Sequence, residues 1–227
     1  MNIVQKFLRF TFYIMGAVLL AIGITLSTKT GLGVSPIISV PFSIASIWNL
    51  NFAAMTFIVY TLLVGIQILL KSPHFAPIDL LQIPFSLVFS FFLNIFEKLF
   101  RMEFIHLWQN LILLLIAIIL TGIGAAVMVD MKLTPNPADG LAATVGEVTR
   151  KGMGFGKNLI DFSSVALSCM IGLVFSQKLE GIGVGTIIAM IGVGRTIALF
   201  NHFFKEKIVF IAGLQEFRCT SSSLLHP

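Results

Sequence analysis

Charged side chains are scarce in this chain: Asp, Glu, Lys and Arg make up 11% of its 227 residues, against about 25% in an ordinary soluble domain. With 57% apolar residues, 22 of the total being Phe, and a mean hydropathy of +0.99, the polar groups cannot cover a water-facing surface. A soluble fold and a disordered chain are thereby excluded. The two cysteines, Cys169 and Cys219, form neither a disulfide framework nor a zinc spacing. No Ser/His/Asp set, no H-E-x-x-H and no phosphate-binding loop occurs, so nothing in the sequence supports catalysis. His74, His106 and His202 are scattered, and neither a metal site nor a cofactor is expected. The excess of 15 Lys and Arg over 10 Asp and Glu, a net charge of +5, reads as membrane orientation rather than nucleic-acid binding.

What is present is a series of long apolar runs. A bilayer core of about 30 Å takes about 20 residues of helix. Charge-free or nearly charge-free runs predict six spans, at about 10–28, 52–70, 80–96, 107–129, 158–176 and 183–203. The stretch after Lys29 is too long for one helix and is broken by Gly31, Gly33, Pro36 and Pro41, so a short segment at about 35–47 is set apart. No small-residue cleavage site follows the first run, which is read as an uncleaved helix. Eleven Lys and Arg fall on one side of these spans, and four, Lys29, Lys98, Arg101 and Lys178, on the other. That imbalance predicts both termini in the cytoplasm. The domain is expected to occupy residues 1–204, and 205–227 to form a polar cytoplasmic tail, partly foreign to the natural chain.

A shift of about 101 residues superposes GITLSTKTGLGVSPIISVPFSIA, from Gly23, on GAAVMVDMKLTPNPADGLAATVG, from Gly124. Ser35 then meets Asn136 and Pro36 meets Pro137. Each half reads span, short Pro-containing segment, span, span. Three spans per half invert the second half relative to the first, an architecture frequent in transporters. The expected fold is therefore an all-α polytopic membrane protein of two inverted three-helix repeats, at about 8–99 and 107–204. Each repeat carries a short Pro-capped segment, re-entrant or broken, tolerated at membrane depth only where protein or a water-filled cavity surrounds it.

Ser35-Pro36 and Asn136-Pro137 have the form of helix starts, an N-cap oxygen followed by a residue that needs no donor. Asp139 in the first turn of the second segment complements the positive dipole end. These are either simply capped short helices or two N-termini that present N–H groups to a solute. Asp79, Gln82, Ser86, Ser90 and Asn94 share one helix face, as interhelical glue or as a polar lining. Asn158 and Asp161 share a face of the fifth span. An ionisable group inside a span marks function by default, although Asp161 can instead pair with Lys157. Arg195 either snorkels to the interface or meets an anion or Asp161; Asn158, Asp161 and Arg195 are the expected coupling or gating residues. The Gly181–Gly194 cluster reads as close helix packing, with Thr186 hydrogen-bonding across it. Asn136-Pro137-Ala138 matches the aquaporin box, but Asp139 stands where Arg is expected and the first-half partner is Ser-Pro-Ile.

GLGVSPIISVPFSIA, APIDLLQIPFS, TPNPADGLAATV and GIGVGTIIAMIGVGR together resemble the YczE/YitT-like group of small bacterial integral membrane proteins, over about residues 8–204. The resemblance implies a multi-pass protein of the bacterial cytoplasmic membrane, often supposed to be a transporter, and carries no substrate with it. The function expected is a secondary transporter or permease that moves a small polar, even anionic, solute by alternating access. Its binding residues would be Ser35, Pro36, Asn136, Pro137, Asp139, Asp79, Gln82, Ser86 and Thr186. Expected partners are the lipid bilayer, the solute and a second copy of the chain. The alternatives are an aquaporin-like channel, the substrate-binding subunit of a multi-component vitamin uptake system, and a non-transporting accessory protein.

Overall fold

A computed structural model describes residues 2–72, 77–101 and 104–214; His74, Cys219 and the polar tail beyond Leu214 lie outside them. The described residues form eight α-helices and no strand: α1 (Ile3–Lys29), α2 (Pro36–Ile47), α3 (Phe52–Lys71), α4 (Gln82–Leu99, entered through a 3-10 turn at Pro77–Leu81), α5 (Leu107–Asp130), α6 (Pro137–Val148), α7 (Met153–Phe175) and α8 (Val184–Ile211). Six of these elements are long and apolar enough to cross a membrane. The other two, α2 and α6, have 12 residues each. They rise about 18 Å and are too short to span.

Lipid tails are as apolar as leucine, so helices in a bilayer associate by close packing and interhelical hydrogen bonds rather than by escape from water. The α1–α5 pair at the centre illustrates this. A Cβ on Gly124 would lie 2.5 Å from the Leu20 amide nitrogen and 2.6 Å from the Gly16 carbonyl oxygen, and one on Gly23 would lie 2.6 Å from the Thr121 amide nitrogen. Only glycine lets these backbones approach so closely. Around this pair, α4 packs on α1 and α8 on α5, while α2 lies against α3 and α7 and α6 against α7 and α3. An aromatic ladder joins α1, α3 and α4: Tyr13–Phe85, Phe85–Phe89 and Phe89–Tyr60 centroids are 5.3, 6.1 and 6.0 Å apart. Buried hydroxyls tie α2 to α7 and to the loop after it, with Ser168 of α7 donating to the Ser39 carbonyl at 3.1 Å and Ser43 to the loop carbonyl of Glu180 at 2.6 Å.

The element boundaries recur along the chain. A shift of 101 residues carries Lys29 to Asp130, Pro36 to Pro137, Ile47 to Val148 and Phe52 to Met153. It also carries the left-handed turn residues onto one another, Gly31 (φ 65°) onto Lys132 (φ 47°) and Asn49 (φ 51°) onto Arg150 (φ 57°). One relation is not matched: α3 packs along α4, whereas α7 and α8 touch only marginally.

Three boundaries depart from the sequence expectation. The first helix starts at Ile3 rather than near Phe10. Its Arg9 finds local partners, donating from Nε to the Met131 carbonyl at 2.7 Å and from Nη2 to that of Lys132 at 2.5 Å. The fifth span starts at Met153 rather than Asn158, because Lys157 is neutralised within the helix. The last helix runs to Ile211 through Lys205, Glu206 and Lys207, with Val209 and Ala212 buried. Residues 205–211, expected in the tail, are therefore helical. Charge scarcity marks where a helix can sit in lipid and does not mark where the helix ends.

Candidate functional site

The chain between α5 and α6 turns inward along α1. Arg9 holds Met131 and Lys132, and one turn farther along α1 the Tyr13 hydroxyl donates to the Thr134 carbonyl at 2.7 Å. Six residues after α5 ends, Asn136 caps α6, its side chain accepting from the Ala138 amide. On the opposite side Leu32 and Val34 are pinned to the start of α8 and the loop before it: the Gly185 amide donates to the Leu32 carbonyl at 2.8 Å and the Val34 amide to that of Gly181 at 2.9 Å. This delivers Ser35 and Pro36 to the start of α2. Ser35 does not cap α2 with its side chain, contrary to the symmetry expected from the sequence.

Both helix starts open into one cavity of about 460 Å³, within the roughly 300–1,000 Å³ usual for small-molecule sites. Ser35 and Pro36 of α2 and Asn136 and Asp139 of α6 face it, with Lys157, Asn158 and Asp161 of α7 and Tyr60 of α3. The opposing wall is apolar, built from Leu20 and Ile24 of α1, Ala125 of α5 and Val193 of α8. Close α6–α7 packing sets the charged end. Gly156 is pressed against the Ala142 carbonyl and Gly146 against Gly152. Lys157 is thus placed 3.4 Å from Asp161 Oδ1 and 3.9 Å from Asp139 Oδ1. One lysine between two carboxylates leaves the group one negative charge in excess. The free N–H groups and dipoles of the two helix N-termini pull the other way.

Tyr60 is fully buried, and its hydroxyl faces Asn136 without a hydrogen bond of good geometry. Just behind it, Gln67 and Gln82 converge on Gly140, where an added Cβ would lie 2.8 and 2.7 Å from their Oε1 atoms; both amides are buried with unsatisfied atoms. Such groups carry a desolvation cost of about 1–3 kcal/mol each when left unpaired.

The cavity therefore gathers Ser35, Pro36, Asn136, Asp139, Asn158 and Asp161, while Pro137 sits buried in the first turn of α6 beside it. It does not gather the other expected residues. Asp79 pairs with Lys71 at 3.1 Å at the entry to α4. Gln82 and Ser86 are buried in the bundle, Ser86 donating to the Gln82 carbonyl at 2.6 Å, because the α4 stripe faces α3 and α6. Thr186 closes the first turn of α8, accepting from the Gly183 amide at 3.2 Å, so its bond is local rather than across a helix contact. Arg195 is exposed on α8, and the ion partner of Asp161 is Lys157. Tyr60 and Lys157 as lining residues were missed from the sequence. Tyr60 leaves no pattern there, whereas Lys157 stands four residues before Asp161, a spacing that pairs side chains on a helix.

Among the described residues no group of three or more His, Cys, Asp or Glu side chains is placed to hold a metal ion. No curated protein and no solved structure matches the chain. One family model does, over residues 7–202. The chain thus belongs to DUF6198, a family of unknown function.

Proposed function

We propose that the protein is a membrane permease that binds a small polar solute between the starts of α2 and α6 and moves it by alternating access. The observation that carries this reading is the meeting of two oppositely delivered helix N-termini and the Asp139–Lys157–Asp161 group in one cavity. Broken or short helices whose N-termini meet at mid-membrane, at the interface of two inverted repeats, are the usual construction of a transporter site.

The inverted repeat is part of the proposal and has support beyond letter similarity. Under the 101-residue shift, Gly16 and Leu20 correspond to Ala117 and Thr121. Gly23 packs on Ala117 and Thr121, and Gly124 packs on Gly16 and Leu20. Reciprocity of this kind characterises a two-fold relation. In this arrangement α2 and α6 are re-entrant, entering from opposite faces. The positive-inside imbalance puts both termini in the cytoplasm. Kinship with the YczE/YitT-like group rests on the motifs quoted above and agrees with six spans. The channel reading has less behind it, because Gln82 and Ser86 of α4 are packed inside the bundle and the polar face of that helix does not extend the cavity.

The test is a thermal-shift screen of the purified protein against soluble metabolites, followed by uptake into proteoliposomes. A specific ligand stabilises the folded state by mass action. The shift should shrink in both Asp161→Asn and Asn136→Ala. A ligand whose shift survives both changes, or no hit among metabolites, head groups and lysolipids alike, would favour the accessory-protein alternative.

A further inference from the structure

We infer that the transported solute is the head group of a membrane amphiphile, one that carries an ammonium and an anionic oxygen and enters the cavity sideways between α7 and α8. This rests on the reading that the cavity is the solute site, and it specifies both the substrate class and its route.

The route comes from the one broken correspondence between the halves. In the first half α3 and α4 pack together, and Asn51 Nδ2 donates to Asn94 Oδ1 at 3.3 Å. A groove of about 530 Å³ runs over the outside of that pair, past Ala53 and Phe57 on α3 and Leu87, Ser90, Phe91 and Asn94 on α4. Ala53 and Phe57 correspond, 101 residues on, to Gly154 and Asn158. With two residues inserted before α8, the α4 positions align with Met190, Val193, Gly194 and Ile197. All six of these counterparts line the cavity. The same two surfaces thus enclose an outer groove in one half, and in the other stand apart and admit the outside to the interior.

The walls of the α7–α8 slot suit a chain lying in lipid. Gly154 and Gly194 face it from the two helices, and a Cβ on either would meet nothing within 4 Å, so the space beside both is open. Asn158 and Met190 at the rim are exposed. Arg195, next to Gly194, is also exposed. A cation on a lipid-facing helix surface is expensive, and an anionic head group passing the mouth relieves that cost.

The interior suits the two charges of such a head. Asp139 and Asp161 share a single lysine, which leaves room for a second cation, the ammonium. The starts of α2 and α6 offer N–H donors to an anionic oxygen. The fully buried Tyr60 hydroxyl, which makes no well-formed hydrogen bond, adds another donor in the same cavity. The acyl chain then lies along the apolar wall of Ile24 and Val193 and out through the slot. In the other half, the α3–α4 groove holds a buried, unpartnered Ser90 hydroxyl but shares no lining residue with the cavity.

The probe is lysophosphatidylethanolamine with a diazirine near the head end of its chain, photolysed with the full-length protein in nanodiscs. Adducts should map to Met190, Val193 and Ile197. They should fall about tenfold in Gly194→Trp and in Gly154→Trp, with folding checked by gel filtration and thermal unfolding. Labelling by the lysophosphatidylglycerol analogue, which lacks the ammonium, should be weak and insensitive to Asp161→Asn. Adducts of equal yield in the wild type and both tryptophan variants, or confined to outward faces, would overturn the proposal. Stabilisation by soluble glycerophosphoethanolamine without cavity adducts would overturn the amphiphile while leaving the polar-solute reading standing. No stabilisation and no cavity adducts would overturn both.

Discussion

Tyr60 holds a buried hydroxyl next to a cavity, facing Asn136 without a well-formed hydrogen bond, and that combination separates folding from function at one atom. A hydroxyl retained for stability would be bonded; one retained for a ligand is paid for in the empty protein. Tyr60→Phe should therefore raise the melting temperature of the ligand-free protein, by the equivalent of about 1 kcal/mol or somewhat more, while cutting the ligand-induced shift. Differential scanning fluorimetry with and without ligand reads both, and a variant that loses stability in the empty state would show the hydroxyl to be structural. Asp139 and Asp161 differ from Tyr60 in being legible beforehand. A carboxylate in an apolar run stands out in the sequence, while a tyrosine among phenylalanines does not. The same limit affected Gln82 and Ser86. Their spacing showed one shared face, but spacing cannot say whether that face meets water or other helices, and here α3 and α6 cover it.

Among the elements, α1 and α5 set the geometry for the rest, and their crossing depends on glycine. Gly124→Leu would bring side-chain atoms onto the backbone of Gly16 and Leu20, which cannot move without displacing α1. A loss of about 1–3 kcal/mol or more is expected, visible as a lowered thermal transition in detergent. Its counterpart Gly23→Leu should cost a similar amount, because Thr121 and Ala117 stand where Leu20 and Gly16 do. Gly65→Ala in α3 is the control: nothing lies within 4 Å of its Cβ position, so it should be neutral or stabilising by up to about 1 kcal/mol. The helices as elements were legible because six apolar runs are about as long as the bilayer core is thick. Their ends were not: Arg9 and Lys157 sit inside helices, satisfied by Met131, Lys132 and Asp161, and pairings over 122 residues leave no local trace.

For the whole molecule, the 101-residue correspondence makes a prediction about sidedness that no single helix does. Asn49 and Arg150 occupy equivalent left-handed turns, after α2 and α6, and both are exposed. With Cys169 and Cys219 replaced by serine, Asn49→Cys should react with a membrane-impermeant maleimide from outside intact cells. Arg150→Cys should react only after permeabilisation. Labelling of both from the same side would remove the inverted repeat and with it the alternating-access reading. The 101-residue recurrence of element boundaries was legible from Gly23/Gly124 and Pro36/Pro137. The unequal packing of α3–α4 and α7–α8 was not, since both helix pairs are comparably apolar and their separation is a property of the assembled bundle.

The α1–α5 contact also bears on how the chain is made. The glycine face of α1 finds its counterpart on a helix that begins at Leu107. At about 5–20 residues per second of synthesis, α1 waits roughly 5–20 s in the membrane before α5 emerges. During that interval its close-packing surface, with Arg9 beside it, has no permanent neighbour within the nascent protein. Biogenesis of this protein is therefore expected to lean on the insertion machinery, which must keep the first helix from pairing with a stranger until the second half arrives.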